Sequence, residues 1–323
     1  MLFHFRELSN RILNILTPKL RTLLAKLHYL IINFASTPHS REKTQTADDV
    51  IAQIVEAYTG FQPRTSQVTA IRKLIIKTKD VIFIGKTSFG KSVIFLIAAL
   101  LLPGHIAIIL LPLNIIGTQQ TEKSDQYGIT QSIHLKTETF RRPDIKQILW
   151  EIKQGAYTHV YISPETAVGN RFKEVLDDMT FRSKLCMVAI DKIHLVHHWG
   201  QDGKGFQPEY GQINLFRERL PDHVPFFGYS ATIDDKAMAS IIKTVGFRNP
   251  EIIRTPLDRP NITYAIIPIP KDTKGSYSAL TALLPDQNLI SKASKPLNCS
   301  STIELPISIY NSEPENNNIL STS

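Results

Sequence analysis

The 323-residue sequence predicts an α/β fold, a parallel sheet with helices on both faces. Three observations lead there. Short apolar runs recur at Val81–Ile84, Ile106–Leu111, Val160–Ile162, Leu185–Ile190 and Pro225–Tyr229, each the length of a buried strand. Segments with helical spacing lie between them, at Ser92–Leu102, Arg142–Lys153, Asn170–Asp178 and Gln212–Arg219. The first run closes on a glycine-containing turn that opens directly into the first of those helices.

In chain order, residues 1–44 form a basic extension. Within the first forty of these, Arg6, Arg11, Lys19, Arg21 and Lys26 stand against one acid, Glu7, among many Leu and Ile. That is the composition of an amphipathic helix or an organelle presequence. Pro18 interrupts the pattern and no small-residue secretory cleavage site is evident, which favours a helix packed on the domain or a poorly ordered extension. Residues 45–255 carry the alternating units and begin with a helix at Asp48–Tyr58, where Val50, Ile51, Ile54 and Val55 fall at helical spacing. Residues 256–323 lose this texture. Within 286–323, 8 Ser and 6 Asn leave little apolar surface to offset the entropy of ordering, so an irregular or disordered tail is expected. Ile307–Tyr310 reads at most as one isolated strand, and no internal repeat is visible.

Composition narrows the function classes. Hydrophobic residues make up 42% of the chain, enough for a substantial core. A net charge of +8 points to an anionic partner, nucleic acid or a membrane surface. No stretch reaches the ~18–20 uncharged apolar residues of a membrane span, since Val93–Leu102 and Ile106–Leu113 are both too short. Two cysteines, Cys186 and Cys299, exclude a disulfide framework and a four-cysteine zinc module.

Gly85-Lys86-Thr87-Ser88-Phe89-Gly90-Lys91-Ser92 satisfies G-x-x-x-x-G-K-[ST] between an expected strand and an expected helix. Glycines at this spacing let the backbone curl, so that N–H groups face phosphates at the positive end of the helix. Lys91 is placed to reach the β and γ phosphates of a nucleotide, and Ser92 to ligate Mg²⁺. Asp191 ends the run Leu185–Ile190, where a carboxylate holds Mg²⁺ through water.

These residues resemble the RecQ-like ATP-dependent DNA helicases of superfamily 2. Arg64-Thr65-Ser66-Gln67 is similar to the family's adenine-reading element. Leu111-Pro112-Leu113 with Gln119-Gln120 is similar to its segment that contacts the nucleic-acid backbone, and Ile162-Ser163-Pro164-Glu165 to its TPE element. Ala189-Ile190-Asp191-Lys192-Ile193-His194 occupies the place of the Asp-Glu-x-His box, followed by His197-His198-Trp199-Gly200 and Phe206-Gln207-Pro208-Glu209-Tyr210. Ser230-Ala231-Thr232 resembles the motif that couples the two lobes, and Asp258-Arg259-Pro260-Asn261 the lead into the second. The resemblance spans roughly Phe61 to Ile267 and implies a RecA-like lobe. It implies that Arg64 and Gln67 read the base, that Trp199, Phe206 and Gln120 contact DNA, and that His194 relays between the ATP site and Ser230, Ala231 and Thr232.

Four departures qualify that implication. Lys192 stands where the family has the glutamate that takes a proton from the attacking water, and loss of a general base typically costs ~10²–10⁴ in rate. Gly203-Lys204-Gly205 and Gln207 differ from the family's aromatic-rich loop, although Trp199 and Phe206 retain rings that can stack on bases. Too few residues follow Asn261 for a second lobe of on the order of 150 residues, and none resembles the arginine-finger motif. The zinc and winged-helix module has no counterpart. Asp191, His194, His197 and His198 have a superficially ligand-like spacing without a second ligand pair, so no structural zinc is expected. Lys136, Arg141, Arg142, Lys146 and Lys153 supply a cluster suited to phosphate contacts, or simply a solvated face.

By resemblance, then, the chain is the ATP- and DNA-binding lobe of a 3′–5′ helicase, with ATP and Mg²⁺ as cofactors. Its expected partner is DNA, single-stranded or with a 3′ tail, with no membrane partner. Hydrolysis and autonomous unwinding are in doubt, and a second chain could supply the missing lobe. The alternatives are a non-hydrolysing, ATP-gated DNA-binding module, and a decayed helicase fragment. DNA repair and recombination follow from the family alone, as does a nuclear location, while the basic N-terminus keeps the mitochondrion open.

Overall fold

The computed structural model describes residues 17–36, 41–102, 104–112, 114–125, 131–199 and 208–258. The compact unit they form ends at Leu257. Ile307–Tyr310 lies outside the described residues.

Seven strands form one sheet: β1 (Val81–Ile84), β2 (Ile106–Leu110), β3 (Ser132–Leu135), β4 (His159–Ile162), β5 (Leu185–Asp191), β6 (Phe226–Ser230) and β7 (Glu251–Arg254). Their order is β3-β4-β2-β5-β6-β1-β7, and every pairing is parallel. The expected α/β parallel sheet is therefore present. Side chains alternate between its faces with period two. Val81 and Phe83 join one buried cluster while Ile82 and Ile84 join the other, and β2 and β5 divide in the same way. Because both faces are covered, the central strands read as unbroken apolar runs.

The first face is covered by α1 (Pro18–Ser36), α2 (Arg41–Thr59), α3 (Thr65–Ile75) and α4 (Lys91–Leu100). Leu20, Leu23, Leu24 and Leu27 of α1 are buried in that cluster. Residues three and four apart share one side of a helix, which leaves Lys19, Arg21 and Lys26 outside it. The other face packs against α6 (Ile145–Gln154), α7 (Pro164–Val168), α8 (Lys173–Asp177), α9 (Met179–Lys184), α10 (Leu195–Trp199), α11 (Ile213–Glu218) and α12 (Asp235–Val245). Between β2 and β3 lies α5 (Asn114–Asp125). Among the described residues, no helix is long and apolar enough to cross a membrane.

Two expected helices are redrawn. Arg142–Lys153 begins only at Ile145, because Pro143 disfavours the helical region for its predecessor and Arg142 is extended, with ψ 143°. Asn170–Asp178 is a 3₁₀ turn followed by the five residues of α8. Asp178 starts the next helix instead, its Oδ1 accepting from the Thr180 and Phe181 amides at 2.9 and 3.0 Å.

One carboxylate fastens the amino ends of three strands. Asp80 is 3% exposed and precedes β1. Its Oδ1 accepts from the Phe226 amide of β6 at 2.8 Å, and its Oδ2 accepts from the Arg248 amide at 2.6 Å, just ahead of β7. The buried Arg217 guanidinium pairs with it at 2.9 Å and lies over the Phe226 ring. The Asp80 carbonyl accepts from the Glu251 amide at 2.8 Å.

At Gly228, in the middle of β6, any Cβ would collide with Ile193 and approach Phe247 at 2.9 Å. Gly228→Ala is expected to lower stability by about 1–3 kcal/mol, as overpacking of a filled core does, read as a drop in the urea midpoint.

Candidate functional site

The carboxyl ends of β1, β5 and β6 lie side by side. Ile84 is in register with Ser230, and Asp191 with Tyr229. Three segments converge there: the loop Gly85–Ser92, the turn Asp191–His194 and the segment Ser230–Thr232. A crevice beyond the carboxyl ends of parallel strands is where open α/β sheets bind ligands.

The loop leaves β1 at Gly85, whose N–H donates to the Ser230 carbonyl at 3.1 Å. A Cβ on Gly85 would meet Phe83 and Thr255 at 2.9 Å each. Ser88 has φ 65° and Gly90 φ 79°, so the chain passes through the left-handed region twice before α4 begins at Lys91. Gly90 is held to glycine twice over, because a Cβ there would also lie 2.8 Å from Gln67 Nε2. Thr87 and Ser88 are exposed at the tip and Phe89 is buried beneath it. Lys91 reaches back across the loop, its Nζ donating to the Gly85 and Lys86 carbonyls at 2.6 and 2.8 Å. Ser92 sits half-buried in the first turn of α4.

Arg64 and Gln67 are brought onto this loop. Gln67 Nε2 donates to the Phe89 and Gly90 carbonyls at 3.2 and 3.0 Å, and its Oε1 accepts from the Arg64 amide at 2.8 Å. Arg64 donates to the Phe89 carbonyl at 2.8 Å, its guanidinium 4.3 Å from the centre of the Phe89 ring. In this conformation the two side chains brace the curled backbone from below.

Asp191 is the carboxylate of the site. Burial raises its pKa above the ordinary carboxylate value. The Lys192 charge and amide, the Tyr229 hydroxyl and the Lys91 charge pull the other way. Lys192 is exposed, with φ 49°. Next in the chain, Ile193 donates to the Tyr229 carbonyl at 3.1 Å. His194 Nδ1 lies 2.7 Å from Ser230 Oγ, which in turn donates to the Thr232 carbonyl at 3.2 Å. Burial lowers the His194 pKa, and His198 and Lys192 push the same way, so a neutral imidazole faces Ser230. Ala231 lies half-buried and Thr232 exposed on the same segment. Gly85, Ser230 and His194 thus form one hydrogen-bonded chain from the loop to the turn that carries Asp191.

Two of the three expected DNA contacts lie among the described residues. Trp199 ends α10 half-buried, edge-on to Tyr210 with ring centres 5.8 Å apart. Gln120 is half-buried on α5, its carbonyl accepting from Ser124 at 2.8 Å. Phe206 lies outside the described residues, as do Leu113, Gly200–Gln207 and Arg259–Asn261. Of the basic cluster, Arg142 pairs with Asp144 through two hydrogen bonds of 2.9 and 2.6 Å, while Arg141 and Lys146 are exposed.

Sequence reasoning missed two supports of the site. Thr255 donates to the Ile84 carbonyl through its amide at 2.9 Å and its hydroxyl at 3.2 Å, which fixes where Gly85 leaves the sheet. Tyr229 supplies a hydroxyl that helps lower the pKa of Asp191. Its signal was present, since a tyrosine just ahead of Ser230 in an apolar strand needs a buried partner for its hydroxyl.

The oxygen donors present are the Ser92 hydroxyl and the Asp191 carboxylate. Hard donors of this kind fit Mg²⁺, which takes one or two protein oxygens and fills its remaining positions with water and phosphate.

The family model described as "DEAD/DEAH box helicase" matches residues 64–241. Over 246 residues the chain is 27% identical to the ATP-dependent DNA helicase RecQ of Pasteurella multocida, covering 76% of this chain and 36% of that protein. The RecQ helicase of Bacillus subtilis is 27% identical over 211 residues, covering 65% of this chain and 34% of that protein. The chain therefore spans about a third of the length of these curated relatives. The solved structure of a DUF1998 helicase, MrfA, bound to DNA has the same fold over 64% of this chain and 29% of its own, with TM-score 0.50 and 16% identity.

Proposed function

We propose, because this chain belongs to the DEAD/DEAH box helicase family, that its parallel-sheet lobe binds ATP and couples the bound nucleotide to single-stranded DNA, with hydrolysis suppressed. Family membership implies ATP as the nucleotide, and the RecQ relatives are named as ATP-dependent DNA helicases. The observation that carries the reading is the loop itself. Lys91 spans a nest of backbone that Gln67 and Arg64 brace, with Asp191 close enough to feel the Lys91 charge.

In this reading the loop amides and the α4 amino terminus receive the phosphates, and Lys91 exchanges its two carbonyls for phosphate oxygens. Ser92 and Asp191 would hold Mg²⁺, which when bound neutralises charge on the phosphates. The chain of Gly85, Ser230 and His194 carries the state of the loop to Ala231 and Thr232. Trp199 offers a ring for a base to stack on, a contact worth ~1–3 kcal/mol. Suppressed hydrolysis rests on Lys192, whose ammonium has no lone pair to accept a proton from water. The lobe then acts as an ATP-gated DNA-binding module within a larger assembly.

Thermal unfolding with and without ATP tests this. At about 100 times its dissociation constant, ATP adds about 2.7 kcal/mol. For a domain of this size that is a rise of roughly 5–10 °C in Tm. Lys91→Ala is expected to abolish the rise while leaving the unliganded Tm within a few degrees. A chain whose Tm ignores ATP does not have this function.

A further inference from the structure

The position of Lys192 bears on more than proton transfer. Its backbone is clamped in the left-handed region, φ 49°. Asp191 ahead of it is in register with Tyr229, and Ile193 behind it bonds the Tyr229 carbonyl. The Lys192 carbonyl accepts from the Leu195 amide at 2.8 Å, so the turn cannot swing away. Its amide and its ammonium both lower the pKa of the Asp191 carboxylate, the ammonium more than Lys91 does. Among the described residues, the loop carries Lys86 and Lys91, Arg64 bonds its Phe89 carbonyl, and Lys192 adds a further cation next to the Asp191 carboxylate. Glutamate at 192 would exchange the Lys192 cation for a second carboxylate beside Asp191. A polyphosphate entering the present site therefore meets a stronger positive field than it would with glutamate at 192, where a bound cation would have more of its charge to offset.

We propose that the Lys192 ammonium takes over the charge-neutralising part of a divalent cation at this site, so that nucleoside triphosphate binds with little dependence on Mg²⁺. This rests on the reading of Gly85–Ser92 as a nucleotide loop. It deepens that reading, because a site that holds ATP without Mg²⁺ is suited to sensing the nucleotide rather than spending it.

Calorimetric titration of ATP into the full chain, in MgCl₂ and in EDTA at matched ionic strength, separates the outcomes. The unaltered chain is expected to keep its Kd within about threefold when Mg²⁺ is removed, the scale of a solvent-exposed charge contact. Lys192→Glu should weaken about tenfold or more in EDTA, the scale of a lost hydrogen bond to a charged group. Lys192→Met, which removes the charge and keeps the stem, should fall between them, and it decides alone if Lys192→Glu does not fold. Equal Mg²⁺ dependence in all three overturns the role of Lys192 and leaves the nucleotide site standing. Absence of binding in both buffers overturns the nucleotide reading itself.

Discussion

Lys192→Glu is expected to raise DNA-stimulated ATP turnover by about 10²–10⁴-fold over the unaltered chain, the usual worth of a general base. The substituted carboxylate would stand directly after Asp191, on a turn whose backbone is already held by the Ile193 and Leu195 amides. Neither lysine nor glutamate favours φ 49°, so the exchange changes the chemistry at 192 and leaves the backbone cost alone. Phosphate release with and without an oligonucleotide is the measurement. Silence in the unaltered chain with turnover in Lys192→Glu assigns the defect to that side chain. DNA-stimulated turnover by the unaltered chain overturns it, and Glu165 becomes the carboxylate to test, since its charge reaches the same buried Tyr210 that feels Asp191. Silence in both, with ATP bound, removes Lys192 as the sufficient cause.

Asp80→Ala is expected to cost 3–5 kcal/mol, roughly what breaking a buried ion pair costs when one charge is left behind. The Arg217 guanidinium would lose its partner, and the Phe226 and Arg248 amides would lose their acceptors. Asp80→Asn keeps an acceptor in place and should cost less. The double variant Asp80→Ala with Arg217→Met should be less destabilised than the sum of its single variants, because the stranded charge is gone. Urea unfolding gives all four values. A loss under about 1 kcal/mol for Asp80→Ala would show that water enters and solvates the guanidinium.

Much of the fold was legible because a strand covered on both faces has to be apolar throughout. Val81–Ile84 and Leu185–Ile190 announce themselves for that reason. The two edge strands were missed because they escape that requirement. Ser132–Leu135 is half-exposed over three of its four residues, and Glu251–Arg254 alternates half-buried with exposed. At the site, the loop and Asp191 were visible as local patterns of residue type. The bracing of the loop by Gln67 was not, because a hydrogen bond between residues more than twenty positions apart leaves no periodic trace. Asp80 was unreadable for the same reason. Nothing about an aspartate between Lys79 and Val81 says that it will meet Arg217 and the amides that lead two distant strands.

The strand order has a consequence for how the protein comes into being. Among the described residues the first strand is flanked by the last two, since β1 pairs with β6 on one side and β7 on the other. A nascent chain leaving the ribosome therefore carries Val81–Ile84 without a pairing partner until Phe226–Ser230 has emerged. Such long-range parallel pairings close slowly and leave apolar segments open to aggregation while they wait. The nucleotide loop, hung from β1, is completed last, when Thr255 reaches the Ile84 carbonyl. The loop therefore gains its last brace only once β7 and Thr255 have emerged, long after the strand it hangs from.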